Sequence, residues 1–130
     1  MAKTEIFSIN VYDEGAYRPF AHRSGMPTLI RVMGRSSDDR IVAFAAWPKV
    51  ALSHTREKPA GHDEVFYMLE GTATCIPAGG GEPRVWGPGD LVFVPRDALG
   101  EMSYSDDLRC IIFQWSEDGP LDNAERMKGE

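Results

Sequence analysis

The 130-residue sequence lacks the features that mark several large functional classes. It has no cluster of Lys and Arg, and its formal net charge is −6, so it lacks the electrostatic footprint of a nucleic-acid binder. It has no apolar run of the ~18–20 residues that a membrane span needs, and its first residues do not follow the pattern of a signal peptide. With 2 cysteines it is not a disulfide scaffold. We therefore expect a cytoplasmic protein with reduced thiols that binds neither nucleic acid nor membrane.

Helical periodicity is also scarce, whereas turn residues are abundant. The 13 Gly and 9 Pro separate short runs rich in Val, Ile, Phe, Tyr and Trp, a pattern typical of short strands joined by turns. The length fits one domain, and the pattern predicts an all-β sandwich or barrel. The predicted strands are Thr4–Ile9, Pro27–Arg35, Arg40–Trp47, Val50–Arg56, Glu64–Leu69, Thr72–Pro77, Pro83–Trp86, Leu91–Val94, Gly100–Tyr104 and Leu108–Trp115.

The acidic charge is concentrated at the carboxyl end. Residues 101–130 carry eight acidic and three basic side chains, net −5, whereas residues 1–100 are close to neutral at net −1. We divide the chain into a β-barrel over residues 1–115, with an N-terminal strand extension, and an acidic C-terminal tail over residues 116–130. Within the tail, Leu121–Lys128 has acids early and bases late, as a short helix prefers. A frayed tail is the alternative, because few apolar residues there could anchor it.

Two segments carry the most specific pattern in the sequence. They are Glu64-Val-Phe-Tyr-Met-Leu-Glu-Gly71 and Pro88-Gly-Asp-Leu-Val-Phe-Val-Pro95. The first resembles the second half of the first cupin motif, and the second resembles the first half of the second cupin motif. The resemblance covers roughly residues 45–115 and implies a single-domain double-stranded β-helix, or jelly-roll barrel. The chain looks similar to the cupins with an incomplete histidine set, including those of ethanolamine utilisation; Asp90, Pro95, Gly100 and Arg109 match their outline.

The resemblance also implies a metal site, most of whose ligands this sequence lacks. The three histidine positions of the cupin motifs hold Lys58, Ala60 and Gly100, and only Glu64 remains. A transition metal needs about four imidazole and carboxylate ligands, so one carboxylate does not hold it. We expect no metal cofactor. The alternative is an atypical divalent metal in a displaced ligand set, drawn from His22, His54, His62 and Glu64.

Without a metal, an inward Glu64 must be paired or protonated, because an isolated buried charge is very costly. Lys58 is the expected partner at the barrel mouth; the alternative is that Arg56 and Lys58 are solvated loop charges. We expect the acid–base groups to be Glu64, Lys58, His62 and Tyr104. We expect substrate to bind to His54, Arg56, Phe66, Met68, Met102 and Gln114.

Strand periodicity places these side chains only in part. A period of two puts Phe66 and Met68 on the same face as Glu64. In the last strand, the sequence leaves open whether the face of Gln114 or that of Phe113 points inward. Gly100 is expected to leave space for substrate in the mouth. The large aromatic residues Trp47 and Trp86 are expected to pack rather than to contact a ligand.

These residues favour a site for a small oxygenated, carboxylate-bearing metabolite. The preferred interpretation is a metal-independent acid–base enzyme of the lyase or isomerase type, with dehydratase and hydrolase chemistry included. The alternatives are a non-catalytic binding module and a metal-dependent enzyme, which the fold cannot separate. We also expect a homodimer, because an N-terminal strand can cover an open sheet edge of a neighbour.

Overall fold

The structure, a computed structural model, describes residues 5–21 and 27–127. Thr4, His22 and Lys128, which the expectations above include, lie outside these residues. No helix in the described ranges is long and apolar enough to cross a membrane. The strands are β1 Arg18–Ala21, β2 Pro27–Arg35, β3 Ile41–Ala46, β4 Leu52–Arg56, β5 Asp63–Glu70, β6 Ala73–Pro77, β7 Arg84–Trp86, β8 Leu91–Val94, β9 Gly100–Tyr104 and β10 Arg109–Trp115. A 3-10 helix covers Glu14–Ala16, and helix α1 covers Asp122–Arg126.

The strands form two antiparallel sheets, which confirms the all-β prediction. The six-stranded sheet has the order β1-β2-β3-β10-β5-β8, and the four-stranded sheet has the order β4-β9-β6-β7. The chain crosses from one sheet to the other six times, between β3 and β4, β4 and β5, β5 and β6, β7 and β8, β8 and β9, and β9 and β10. The apolar core contains Ile30, Val42, Phe44, Ala46, Phe66, Met68, Ala73, Val92, Leu108, Cys110, Leu121, Ala124 and Met127.

The turns after β5 and before β8 explain why the two motif halves have their glycines. Gly71 has φ +80°, and a Cβ at this position would lie 2.7 Å from Leu108 Cα, so a larger residue is excluded. Gly89 has φ +92°. In the same turn, Asp90 Oδ2 accepts a 2.9 Å hydrogen bond from Gly87 N. These residues therefore end β5 and start β8 at the observed positions.

The N-terminal segment differs from the prediction. Residues 5–10 form no strand, so the structure corrects the expected strand extension over the described part of Thr4–Ile9, residues 5–9. Arg109 of β10 contacts the residues that follow this segment, around the 3-10 helix. Its Nη2 lies 3.1 Å from Glu14 Oε1, and its guanidinium stacks 4.5 Å from the centre of the Trp47 ring. Arg109 is therefore a structural residue outside the barrel interior, and Trp47 packs as expected.

The C-terminal segment is anchored in the barrel rather than frayed. Leu121, Ala124 and Met127 are at most 3% exposed, and their spacing of three places them on one face of α1. Leu121 N donates a 2.8 Å hydrogen bond to the carbonyl oxygen of Asp39, and Arg35 Nη1 donates a 3.3 Å hydrogen bond to the carbonyl oxygen of Ala124. Helix α1 consequently packs into the same core as the strands.

Candidate functional site

A cavity of about 610 Å³ lies between the two sheets. We call its outer end, bordered by residues 57, 58, 62, 98 and 99, the mouth. The volume lies in the range of roughly 300–1,000 Å³ that is common for small-molecule sites. The wall is mainly apolar and includes Phe20, Ile30, Phe44, Leu52, Phe66, Met68, Trp86, Val94, Met102, Leu108 and Ile112.

The side chains predicted from the sequence meet in this cavity. Its lining includes Glu64, Lys58, His62, Tyr104, His54, Arg56, Phe66, Met68, Met102 and Gln114. The structure also decides the question that periodicity left open in β10. Gln114 lines the cavity, whereas Phe113 is 43% exposed on the outer face of the sheet. The chemical roles of these residues stay predictions.

Glu64 is held from behind by a chain of two amides. It pairs across the sheet with Gln114 of β10. Gln114 Nε2 donates a 2.7 Å hydrogen bond to Glu64 Oε1, and Asn123 Nδ2 of α1 donates a 2.9 Å hydrogen bond to Gln114 Oε1. Within the described residues, Glu64 Oε2 makes no hydrogen bond. One carboxyl oxygen is therefore fixed, and the other has no hydrogen-bond partner among the described residues.

The environment of this carboxyl also changes its acid strength. Burial raises the pKa of Glu64, because the charged form loses its hydration. The hydrogen bond from Gln114 and the positive charge of Arg56 act in the opposite direction and offset only part of the effect. Glu64 is consequently a weaker acid than an exposed glutamate and a stronger base once ionised.

Lys58 is not the partner of Glu64, which corrects the expectation from the sequence. It is exposed in the loop after β4 and makes no ion pair within the described residues. The carboxyl is satisfied by the amide of Gln114 instead. Arg56 is the cation whose charge acts on it, and its Nη1 lies 3.5 Å from the carbonyl oxygen of Ala98.

A second polar pair lies on the opposite sheet. His54 of β4 and Tyr104 of β9 have stacked rings, with His54 Nε2 3.4 Å from Tyr104 Oη. Burial lowers the pKa of His54, and the charge of Arg56 lowers it further. Burial raises the pKa of Tyr104, and the charge of Glu64 adds to this effect. At neutral pH the pair is therefore an uncharged imidazole beside a phenol that retains its proton.

Gly100 does not leave space in the mouth, which corrects another expectation. It pairs with Pro77 of β6, and a Cβ at Gly100 would lie 2.7 Å from the carbonyl oxygen of Ile76. Glycine is needed here because two backbones approach closely. The third histidine position of the cupin motifs is therefore blocked by backbone.

The cavity includes residues that sequence reasoning missed. Trp86 does more than pack, because it lines the cavity and meets Phe66 edge to face, with ring centroids 6.2 Å apart. Cys110 also lines it, and burial raises the pKa of this thiol to about 12, so it remains protonated. Asn123 was missed because it belongs to the tail. The available signal was the spacing of three between Leu121, Ala124 and Met127, which indicates a helix with one buried face next to Asn123.

The donor atoms do not fit the metal site that the cupin resemblance implies. Within residues 5–21 and 27–127, no group of three or more His, Cys, Asp or Glu side chains could hold a metal ion. His54, His62 and Glu64 are therefore not arranged as a ligand set. The motif positions themselves hold Lys58, Ala60 and Gly100, none of which supplies an imidazole.

Comparisons with known proteins identify the fold. No protein-family model and no curated protein matches the sequence. Among solved structures, the polyketide cyclase RemF of Streptomyces resistomycificus is 18% identical with a TM-score of 0.63, over 87% of this chain and 81% of that one. A cupin 2 conserved barrel domain protein of Salinispora arenicola is 13% identical with a TM-score of 0.60, over 87% and 92% of the two chains.

The chain therefore has the cupin fold, a jelly-roll barrel. It is also similar to a structure of ethanolamine utilization protein Q from Salmonella typhimurium. That likeness has 19% identity and a TM-score of 0.55, over 76% of this chain and 80% of that one. The resemblance to a small cupin of the ethanolamine-utilisation type is thus confirmed at the level of the fold.

Proposed function

We propose that this protein is an acid–base enzyme of the lyase or isomerase type that acts on a small oxygenated molecule in the barrel cavity. The observation that carries the proposal is the position of Glu64. Gln114 holds one of its oxygens at 2.7 Å, while the opposite sheet presents the protonated phenol of Tyr104. A base and a neutral hydrogen-bond donor on facing walls are the groups that proton transfer next to a carbonyl requires.

The lining supports a substrate with a mainly apolar skeleton. Phe44, Phe66 and Trp86 surround the inner cavity, and flat rings pack well against aromatic side chains. Arg56 and Lys58 lie towards the mouth, where they would bind a carboxylate. The carboxylate-bearing metabolite expected from the sequence would therefore bind with its acid group outward and its carbon skeleton inward. One protein of the same fold is a polyketide cyclase, and a polyketide also combines carbonyl groups with an apolar skeleton.

The proposed reaction begins at Glu64 Oε2. The carboxylate removes a proton from the carbon next to a substrate carbonyl, and the electron pair of the broken C–H bond moves to the carbonyl oxygen. The Tyr104 hydroxyl donates a hydrogen bond to that oxygen. In the tautomer that carries its hydrogen on Nε2, His54 donates to Tyr104 Oη, 3.4 Å away, and leaves the phenol hydrogen for the substrate. In a substrate with a further C=C bond next to the deprotonated carbon, Glu64 returns the proton to the far end of the dienolate as the carbonyl re-forms, which gives an isomer. In a substrate with a hydroxyl on the carbon next to the deprotonated one, Glu64 gives the proton to that hydroxyl; the enolate electron pair forms a C=C bond as the carbonyl re-forms, the C–O bond breaks and water leaves, which is a lyase reaction.

Each side-chain contribution follows from the site. The raised pKa of Glu64 improves the match between the base and a neutral working pH. The raised pKa of Tyr104 keeps its proton available as a hydrogen-bond donor. No step uses a metal, because the described residues do not supply a ligand set.

A non-catalytic binding module is the second candidate. It is favoured by the extent of the apolar wall, because such a wall binds a ligand tightly without activating it. In that case Glu64 and Tyr104 orient the ligand by hydrogen bonds alone. The experiment described next separates the enzyme from the binding module.

The test is incubation with a pool of small metabolites, followed by mass spectrometry of the solution and of the retained ligands. We expect the protein to convert a compound, to do so equally after exhaustive chelation, and to lose at least about 100-fold in rate as Glu64→Gln. Val85→Thr, on an exposed strand position, is the control variant. Retention of an unchanged compound would support the binding module. Full turnover by Glu64→Gln would exclude our assignment, and activity abolished by chelation would favour the metal-dependent alternative.

We also propose a homodimer, joined through the outer face of the six-stranded sheet. Phe113, Val65 and Phe93 are neighbours across three strands of that face, and Tyr67 is paired with Leu91 beside them. Leu91 and Phe93 are 70% and 58% exposed. At about 200 Å² per aromatic side chain, the two Phe and Tyr67 alone expose roughly 280 Å². This is a large share of the ~800 Å² per partner that a stable interface buries.

Light scattering of the purified protein tests the homodimer. We expect a dimer at micromolar concentration, and we expect Phe93→Lys to give a folded monomer. The control is Ile76→Lys, which places the same charge on an exposed position of the other sheet. A monomeric wild-type protein, or a dimer that withstands Phe93→Lys, would refute this interface.

A further inference from the structure

The hydrogen-bond chain behind Glu64 begins outside the barrel strands. Asn123 on α1 and Gln114 on β10 line the cavity and are otherwise enclosed by protein, at 6% and 4% exposed. A glutamine amide has one donating end and one accepting end. Because Asn123 donates to Gln114 Oε1, the Gln114 nitrogen faces Glu64 and donates to it.

We propose that Asn123 is a positioning residue that fixes the direction of the Gln114 amide. Through this amide, the C-terminal helix determines which proton state of Glu64 the barrel favours. The inference concerns the carboxyl of the proposed function, so its meaning for catalysis rests on that function. The arrangement of the two amides does not depend on the proposed function.

Reversal of the Gln114 amide would change the site without moving any backbone. With Oε1 of Gln114 towards Glu64, two acceptor oxygens would face each other and the ionised carboxyl would be disfavoured. The protonated carboxyl would then donate the hydrogen bond. An amide is nearly symmetric in shape, so packing alone does not select its direction. The groups hydrogen-bonded to its two ends, Glu64 and the side chain at residue 123, make that selection.

The position of Asn123 is itself well determined. Leu121 and Met127 bury α1 in the core, and Arg35 binds the carbonyl oxygen of Ala124, the residue after Asn123. The side chain therefore meets Gln114 from a fixed helix. Other titratable and charged groups also line the cavity around Glu64: His54 and Arg56 of β4, Cys75 of β6, Arg84 of β7, Tyr104 of β9, Cys110 of β10, and Glu57, Lys58 and His62 at the mouth. Variants at residue 123 leave all of them in place.

The experiment is an NMR titration of the ligand-free protein labelled with ¹³C at the glutamate carboxyls, with Glu64→Gln identifying the resonance. Asn123→Asp presents acceptor oxygens to Gln114, and we expect it to raise the pKa of Glu64 by about one pH unit or more. Asn123→Ala frees the amide to face either way, so we expect a smaller rise. Asp122→Asn, an exposed change on the same helix, is the matched control and should leave the titration unchanged.

A double-variant comparison separates the direction of the amide from the negative charge that Asn123→Asp adds. In Gln114→Met protein the amide is absent, so Asn123→Asp acts only through its charge and should shift the pKa of Glu64 much less than in the wild-type background. An equal shift in both backgrounds would overturn the proposal. The proposal would also be overturned if the pKa of Glu64 were unchanged in both Asn123→Asp and Asn123→Ala. A lower melting temperature of Asn123→Ala with an unchanged pKa of Glu64 would then show a purely structural role for Asn123. Since no substrate is used, failure of the proposed function would not affect this result.

Discussion

Replacement of Glu64 by Gln should make the protein more stable at neutral pH, although it removes the proposed catalytic base. Gln has nearly the same size, and its carbonyl oxygen still accepts the hydrogen bond from Gln114. In the folded protein, burial raises the pKa of Glu64 above its ordinary value of 4.5. A carboxyl with a raised folded pKa contributes stability below the unfolded pKa, and this contribution is lost as the pH rises through the folded pKa. Glu64→Gln does not lose this stability as the pH rises, because a glutamine amide does not ionise.

The magnitude follows from proton linkage. Between the unfolded and folded pKa values, the folded protein binds up to one more proton than the unfolded chain. The free energy of unfolding of the wild type then falls, relative to Glu64→Gln, by up to about 1.4 kcal/mol per pH unit. The other titratable groups are common to both proteins, so they largely cancel in the difference.

Urea unfolding, followed by tryptophan fluorescence from pH 4.5 to 8, measures this difference. We expect the variant minus wild-type free energy to rise with pH and then reach a plateau above the folded pKa of Glu64. Glu82→Gln, in the exposed loop between β6 and β7, controls for the chemical change. A difference that does not vary with pH, or that falls as pH rises, would refute the reasoning that burial dominates at Glu64.

Three further predictions concern the frame around the site. Met127→Ala should lower the free energy of unfolding by about 2–5 kcal/mol, because Met127 is 1% exposed; a loss under 1 kcal/mol in urea unfolding would mean that α1 is not anchored. Gly100→His should destabilise the barrel by about 2 kcal/mol or more without creating a zinc site, and stoichiometric zinc binding by calorimetry at unchanged stability would contradict this. Arg109→Ala should speed hydrogen exchange in residues 11–17 while leaving the cavity intact, and unchanged exchange there would show that Arg109 does not hold the segment.

Most strands could be predicted because turn residues mark their ends. Pro27–Arg35, Leu91–Val94 and Gly100–Tyr104 have the predicted bounds. Arg18–Ala21 was missed because it is short and includes Pro19, which has no N–H for a sheet ladder. Proline is tolerated there because β1 is the edge strand of its sheet.

The cavity-lining residues of the site were easier to predict than their contacts. Alternation along β5 places Glu64 and Phe66 on the same face of the strand whatever the rest of the chain does. The partner of Glu64 depends on the pairing of β5 with β10 and on the packing of α1, which bring Gln114 and Asn123 from distant parts of the sequence. Lys58 is close to Glu64 in the sequence, which is why an ion pair between them was predicted. In the fold, the partner of Glu64 is the amide of Gln114.

The two cupin motif halves separate the residues that build the barrel from those that give a cupin its metal. Gly71, Gly89 and Asp90 form turns, so their presence preserves the fold whatever chemistry the cavity carries. The histidine positions instead hold other residues, and at Gly100 the approach of two strands has closed the position altogether. A metal site of the cupin pattern would therefore require a backbone change as well as new side chains.

The charge of the cavity differs in sign from that of the chain. Its lining contains three cations, Arg56, Lys58 and Arg84, and two carboxylates, Glu57 and Glu64, although the net charge of the protein is −6. Since Glu64 is the buried carboxyl and its pKa is raised, protonation of this group makes the lining more positive still. A ring compound with a carboxylate should therefore bind more tightly than the same ring with an ammonium group, and the preference should increase as the pH falls through the pKa of Glu64.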